Sequence, residues 1–182
     1  MRHDLNDGIQ AIVSGLVVMS IRVCAALVVT VRDKLAGLRV CALVPNVKGA
    51  ERAIDAGADL LILPISASFA HSQANVRKTP DKMIDSVRAI LEARNAAGAA
   101  TRLEAGIGTA FGCAIQGDVR ESDVLRLAEA ALEAGADCIS LADTVGYANP
   151  ARVCTAPSTR PDCRKPMHPF ILLTGAYTHE RR

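Results

Sequence analysis

A short motif that recurs in the middle of the chain constrains its fold more than any other feature. The tetrapeptide Ala-Gly-Ala-Asp occupies positions 56–59 and 134–137, and the tripeptide Ala-Gly-Ala occupies positions 97–99. The copies are 41 and 37 residues apart, a period that accommodates one strand, one helix and two loops. Because glycine readily adopts the left-handed conformation that ends a helix, each copy is predicted to close a helix and open a strand.

Apolar runs and helical patterns alternate around these motifs. Four short apolar runs predict strands, at 38–44, 59–65, 101–107 and 137–142, and such runs, apolar on both faces, are typical of a sheet that helices cover. Apolar residues at helical spacing fill 83–91 and 124–132. Asn46 and Thr79, the latter followed by proline, suit the first positions of helices. The predicted order is β-α-β-α-β-α-β, with right-handed crossovers between parallel strands.

This α/β pattern fits two architectures, an open doubly wound sheet and part of an eightfold (β/α)8 TIM barrel. A complete barrel takes about 250 residues, so a chain of 182 residues would form a partial barrel of about four units. The hydrophobic fraction of 50% suits one globular domain. We predict an irregular or divergent segment over 1–37, the folded domain over 38–153 and a poorly ordered tail over 154–182.

Composition and charge argue against several classes of partner. The 21 basic and 19 acidic residues form no block of like charge, and only 3% of residues are aromatic, so we expect no nucleic-acid partner. Six cysteines occur without a C-x-x-C motif or a histidine pair, which predicts reduced thiols and no zinc site. The apolar segment 11–31 approaches the length of a membrane span, but Arg22 at its centre would make insertion costly. We expect a cytoplasmic protein without a membrane span.

Polar residues follow each of the four predicted strands. In both architectures ligands bind where parallel strands end, so these positions are the candidates for a site. They are Asn46, Lys48, Ser66, Ser68, Thr109, Asp143 and Thr144. Asp143 gives the strongest signal, because a carboxylate at the end of a buried strand needs a cation or hydrogen-bond donors. The others also have structural explanations, such as a helix cap for Asn46 and a solvated surface charge for Lys48.

Four segments at these strand ends carry a resemblance to a known family. They are ALVPNVKGAERAIDAGAD, SASFAHSQANVRKT, TAFGCAIQGDV and ISLADTVGYANPARV, in that order. Together they resemble the 3-hydroxy-3-methylglutaryl-CoA (HMG-CoA) lyase family, which belongs to the metal-dependent barrel lyases together with isopropylmalate synthases and pyruvate carboxyltransferase domains. The resemblance implies a TIM barrel that cleaves a carbon–carbon bond of an acyl-CoA.

The resemblance also implies a mechanism and roles for the candidate residues. A divalent cation, Mg²⁺ or Mn²⁺, would polarise the oxygens of a 3-hydroxyacyl-CoA while a base deprotonates its tertiary hydroxyl. Cleavage would then give a ketoacid and the enolate of acetyl-CoA, which an acid protonates. The predicted catalytic residues, in supporting roles, are Thr109, Asp143 and Thr144. The predicted substrate-binding residues are Asn46, Lys48, Ser66 and Ser68, with Lys48 placed to meet the phosphates of CoA.

Both ends of the chain depart from the family pattern, as a truncation or a change of reading frame would produce. Asp7 matches the metal-binding aspartate of the family's Arg-Asp-Gly motif, but Asn6 replaces the arginine. After Val153 the family's His-x-His metal pair is missing. We therefore expect no tight stoichiometric binding of Mg²⁺ or Mn²⁺.

The sequence leaves three functions open. The chain is a lyase of reduced or lost activity, a condensing synthase of the isopropylmalate synthase type, or a non-catalytic partial barrel that associates with another chain. A homo-oligomer is compatible with each of them.

Overall fold

The computed structural model describes residues 9–13, 16–19 and 39–149, the first two stretches through their backbone alone. The strands are β1 (Ile9–Val13), β2 (Leu16–Met19), β3 (Arg39–Leu43), β4 (Leu60–Ser66), β5 (Arg102–Gly108) and β6 (Cys138–Leu141). The helices are α1 (Val47–Asp55), α2 (Phe69–Val76), α3 (Pro80–Ala96) and α4 (Glu121–Glu133).

The strands form one sheet whose order in space is their order in the chain, from β1 to β6. Strand β1 is antiparallel to β2, and every neighbouring pair from β2 to β6 is parallel. A doubly wound sheet needs a point at which the strand order reverses, and the described sheet contains none. Right-handed crossovers in one direction place successive helices on the same face, where α3 contacts both α1 and α4. The partial TIM barrel is therefore confirmed.

Four predicted strands and their helix caps are confirmed, and two further features were not predicted. The Asn46 side chain accepts a hydrogen bond from the Gly49 N–H at 2.9 Å, and that of Thr79 accepts one from the Lys82 N–H at 3.2 Å. Helix α2 has no predicted counterpart, because its short sequence mixes polar and apolar residues without a clear stripe. Strands β1 and β2 lie within 1–37, where an irregular or divergent segment was predicted.

The two faces of the parallel sheet differ in burial. Alternate residues of the two longest strands, β4 and β5, are fully buried against the helices, namely Leu61, Leu63, Ile65, Leu103, Ala105 and Ile107. The residues between them are mostly half-buried and lie on the opposite face, which we call the open face. The predicted covering of the sheet by helices is present on one face. In a barrel architecture the open face lines the interior.

The recurring motif fastens the amino ends of the strands. Gly57 and Gly135 have φ values of 80° and 102°, which permit the turn from helix to strand. The Asp59 carboxylate then accepts a hydrogen bond from the Val40 N–H at 2.8 Å on the preceding strand. Asp137 accepts one from the Leu103 N–H at 2.7 Å in the same way. The motif thus has a structural role at the amino edge of the sheet, and the carboxyl edge is available for other functions.

No helix of the described residues is long and apolar enough to cross a membrane. Most of the apolar segment 11–31, the candidate metal ligand Asp7 and the tail 154–182 lie outside the described residues.

Candidate active site

Hydrogen bonds join the carboxyl ends of three consecutive strands. The Ser68 N–H, after β4, donates to Thr109 Oγ1 at 3.0 Å. Thr109 follows β5, and its N–H donates at 2.7 Å to Oγ1 of Thr144, which follows β6. We call these three residues and Gln116 the rim network. Ser68, Thr109 and Thr144 were all predicted site residues, and the structure brings them into direct contact.

Thr109 at the centre of the rim network has a strained backbone. Its φ is 56°, a left-handed conformation that costs a β-branched residue on the order of 1–2 kcal/mol. The side chain is fully buried, and its hydroxyl donates to the Gly108 carbonyl oxygen at 2.7 Å while accepting from Ser68. Hydrogen bonds to both neighbouring loops therefore hold Thr109 in this conformation.

Gln116 extends the rim network to helix α2. The Ser68 hydroxyl donates to Gln116 Oε1 at 3.0 Å, and the Ala70 N–H approaches the same oxygen at 3.3 Å. Ser68 Oγ also accepts from the His71 N–H at 3.1 Å, which caps the amino end of α2. The loop after β5 is thus fastened to the loop after β4. Gln116 was not a predicted site residue, although it lies in the segment TAFGCAIQGDV, because a glutamine that does not directly follow a strand gave no separate signal.

Asp143 shapes the loop after β6. Only 3% of its surface is exposed. One carboxylate oxygen accepts hydrogen bonds from the N–H groups of Gly146 and Tyr147 at 3.0 and 3.1 Å. The other oxygen accepts from the Ala148 N–H at 2.8 Å. Three backbone donors therefore satisfy the buried charge, and this geometry suits the supporting role predicted for Asp143.

Ser66 and His71 form a close pair at the carboxyl end of β4. Ser66 Oγ lies 2.6 Å from His71 Nδ1. Burial of the imidazole lowers the pKa of His71 below its ordinary value, which favours the neutral ring. Ser66 was a predicted substrate-binding residue, whereas His71 was not selected, because a lone histidine is more often a surface or packing residue.

Two glycines present no side chain on the open face below the rim network. Gly106 and Gly108 occupy successive positions of β5 on this face. A Cβ atom at Gly106 would lie 3.4 Å from Ile62 Cγ2 and 3.5 Å from Ser140 Oγ. A Cβ atom at Gly108 would lie 3.4 Å from Thr144 Oγ1. We call these two glycines the glycine column.

Glu104 lies on the same face of β5, below the glycine column. Ser140 Oγ donates to its carboxylate at 2.5 Å, and the Cys138 thiol lies 4.0 Å from the other oxygen. Burial raises the pKa of Glu104 above its ordinary value, although the Ser140 hydrogen bond and the charge of Arg102 oppose the rise. The alternation of side chains along β5 could have identified Glu104 from the sequence, since it places Glu104 on the same face as both glycines.

Cys113 is a buried thiol in the loop after β5. Its burial by itself raises the pKa, but hydrogen bonds from the Ser68 hydroxyl and the N–H groups of Gln116 and Ile115 favour the thiolate, and the net pKa is lowered. The two N–H groups lie 3.3 and 3.4 Å from the sulfur. The Ser68 hydroxyl has a single proton, and the 3.0 Å hydrogen bond to Gln116 Oε1 competes with the sulfur for that proton. We assign the thiolate stabilisation mainly to the backbone donors.

Asn46 and Lys48 stand apart from the rim network. Both are exposed, and the Asn46 side chain caps α1. Among the described residues neither forms a hydrogen bond with Ser68, Thr109 or Thr144. Their predicted contacts with substrate stay predictions.

The described residues contain no group of three histidine, cysteine or acidic side chains that could hold a metal ion. Both oxygens of Asp143 already accept backbone hydrogen bonds. These residues therefore do not fit a divalent cation by themselves, and Asp7 lies outside the part of the chain that the structure describes.

The rim network predicts graded effects of substitution at Thr109. Thr109→Ser keeps the hydroxyl and should leave stability near that of the wild type. Thr109→Ala removes it, leaves the Ser68 N–H without an acceptor and should lower the free energy of unfolding by about 1–3 kcal/mol. Thr109→Gly should be less destabilising than alanine, since glycine relieves the backbone strain. Urea denaturation measures the series, and an alanine variant as stable as the wild type would contradict the role of the network.

The raised pKa of Glu104 predicts that the stability of the protein depends on pH. Because its pKa is raised in the folded state, the folded protein retains a proton at pH values where the unfolded chain has lost it. The free energy of unfolding should therefore fall as the pH rises from the ordinary carboxyl pKa through the folded-state pKa. Glu104→Gln should lack this fall in urea denaturation between pH 4 and about pH 8. Glu129→Gln, on an exposed position of α4, is the control, and parallel curves for wild type and Glu104→Gln would refute the assignment.

Comparison with known proteins identifies the family. Hydroxymethylglutaryl-CoA lyase YngG of Bacillus subtilis is 37% identical over 123 residues, which cover 68% of this chain and 40% of that protein. (R)-citramalyl-CoA lyase of Chloroflexus aurantiacus is 38% identical over 116 residues, covering 63% of this chain and 36% of that protein. The chain thus spans about two fifths of the length of these relatives.

Solved structures agree with the sequence relatives. The structure of an HMG-CoA lyase from Acinetobacter baumannii in complex with coenzyme A and 3-methylmalate matches with a TM-score of 0.61 and 37% identity. The match covers 66% of this chain and 38% of that one. The resemblance found in the sequence is confirmed, and since the HMGL-like family model matches residues 6–156, the chain belongs to the HMGL-like family.

Proposed function

We propose that this chain acts in the carbon–carbon cleavage of a 3-hydroxyacyl-CoA of the hydroxymethylglutaryl-CoA type, giving a ketoacid and acetyl-CoA. The observation that carries the proposal is the rim network, which links the carboxyl ends of three strands beside the glycine column. Membership of the HMGL-like family supports the reaction type. The chain spans about two fifths of its relatives, so the activity of the whole protein is part of the proposal.

The proposed reaction needs proton transfer and no change of oxidation state. A base removes the proton of the tertiary hydroxyl, and the resulting alkoxide forms the carbonyl of the ketoacid as the adjacent carbon–carbon bond breaks. The electron pair of that bond passes to the thioester as an enolate. A proton delivered to the enolate carbon then gives acetyl-CoA. The site must therefore stabilise negative charge that moves towards the thioester oxygen.

The described residues suit the binding of such a substrate. We place the acyl group against the glycine column, where Gly106 and Gly108 present no side chain next to Ile62 and Thr144. We place the phosphates of CoA near Lys48, whose exposed side chain follows β3 at the same edge of the sheet. Thr109 and Asp143 act by holding the loops in position rather than by touching the reacting atoms.

The family resemblance implies Mg²⁺ or Mn²⁺, but the described residues offer no set of ligands for it. We therefore assign no step of the reaction to a metal ion, and Asp7 stays a predicted ligand. A cytoplasmic location and a homo-oligomer likewise stay predictions.

An assay with HMG-CoA tests the proposal directly. The purified protein, supplied with Mg²⁺ or Mn²⁺ in parallel samples, should release acetyl-CoA together with the matching ketoacid. Formation of a condensed acyl product from acetyl-CoA and a ketoacid, without cleavage, would favour the synthase type. A folded protein that yields neither product would favour the non-catalytic partial barrel.

The glycine column adds a matched pair of variants to the same assay. Gly108→Val should raise KM for HMG-CoA about tenfold or more, equivalent to about 1.4 kcal/mol, because its methyl groups would occupy the proposed acyl position. Gly108→Ala adds a single carbon at ordinary contact distance from Thr144 Oγ1 and should lie close to the wild type. Thermal unfolding checks that both variants fold. An unchanged KM for the valine variant would show that the acyl group binds elsewhere.

A further inference from the structure

The side chains of Ser66 and His71 meet at the carboxyl edge of the open face. Ser66 is the last residue of β4, and alternation from the buried Leu63 and Ile65 places it on the face opposite the helices. The hydrogen bond to Ser66 holds the half-buried His71 ring, which α2 carries, over this edge. The imidazole therefore lies at the entrance of the glycine column.

A glycine on the neighbouring strand lies directly beside this pair. Ser66 is paired in register with Gly108 on the neighbouring strand. Because Gly108 has no side chain, Ser66 lies directly next to the glycine column. Thr144 Oγ1, in the loop after β6, lies on the other side of Gly108.

The tautomer of His71 follows from the hydrogen bonds of Ser66. Ser66 is buried, and among the described residues His71 Nδ1 is the only hydrogen-bond partner of its hydroxyl. A buried hydroxyl proton needs an acceptor, so the Ser66 O–H donates and Nδ1 accepts. The proton of the neutral ring is then on Nε2, which makes Nε2 a donor.

We propose that His71 donates its Nε2–H to the thioester carbonyl oxygen of the bound acyl-CoA and so stabilises the enolate that carbon–carbon cleavage produces. Ser66 is the positioning residue that fixes the tautomer. The inference rests on the proposed lyase function and deepens it. The step is a hydrogen bond alone: the proton stays on Nε2, and the enolate takes its proton at carbon from another group.

A neutral imidazole suits this task better than an imidazolium. A neutral ring binds its Nε2 proton tightly and retains it beside an enolate oxygen, and other enolate-forming enzymes use a neutral histidine in this way. Burial lowers the pKa of His71, and the Ser66 donor at Nδ1 also opposes protonation of the ring. The donor is fixed before substrate arrives, so little reorganisation is needed.

Nitrogen-15 NMR of the imidazole tests the geometry independently of catalysis. In the free protein at pH 7, His71 should show a protonated Nε2 and an unprotonated Nδ1. Addition of acetyl-CoA should shift the Nε2–H resonance, whereas coenzyme A without an acyl group should shift it less. Ser66→Ala should remove the tautomer preference, and Ser66→Thr, which keeps the hydroxyl, should restore it.

Kinetics with HMG-CoA supply the second readout. His71→Ala should lower kcat on the order of 10²-fold with KM nearly unchanged, the effect typical of losing one donor to an oxyanion. His71→Gln keeps an N–H donor and should retain more activity than alanine. Asn75→Ala, at an exposed position of the same helix, is the control and should match the wild type.

The outcomes separate this inference from the proposed function. A wild-type protein that does not cleave HMG-CoA, but whose Nε2–H responds to acetyl-CoA, would refute the lyase function and retain the thioester contact. Normal cleavage by His71→Ala together with an unresponsive Nε2–H would overturn the inference and leave the lyase function intact. A protonated Nδ1 in the free protein, or no response and no cleavage, would also overturn it.

Discussion

The arrangement of the site depends on two hydrogen bonds made by Thr109. Its hydroxyl accepts from the Ser68 N–H, and its own N–H donates to Thr144 Oγ1. Parallel strands bring their carboxyl ends to one edge, but the loops that follow are free to diverge. The two bonds hold three of these loops together at the expense of a left-handed backbone at Thr109. Backbone strain that neighbouring contacts maintain is common at functional sites.

The two edges of the sheet have different roles. At the amino edge, Asp59 and Asp137 bind backbone N–H groups of the preceding strands and fix their ends. At the carboxyl edge, Asp143 binds three N–H groups of its own loop and so prepares a surface for ligands. Carboxylates that accept backbone hydrogen bonds, half-buried at the amino edge and buried at the carboxyl edge, therefore order both edges of the sheet.

Local chemistry made much of this structure predictable from the sequence. Left-handed glycines, capping side chains and apolar runs act within a few residues, so the strands and the caps at Asn46 and Thr79 could be identified. The position of Thr109 after a predicted strand marked it as a candidate, but its hydrogen bonds to two other loops depend on contacts across 41 and 35 residues of sequence. The contact of His71 with Ser66 depends on α2, whose mixed sequence gives no clear period.

Mapping of backbone amide NMR shifts on addition of acetyl-CoA tests most directly whether the carboxyl edge forms the binding site. The structure predicts that the largest changes fall at 66–71, 106–110 and 143–148, the segments that the rim network and the glycine column bring together. Changes centred on Asp59, Thr101 and Asp137 at the amino edge, with the carboxyl edge unaffected, would contradict it.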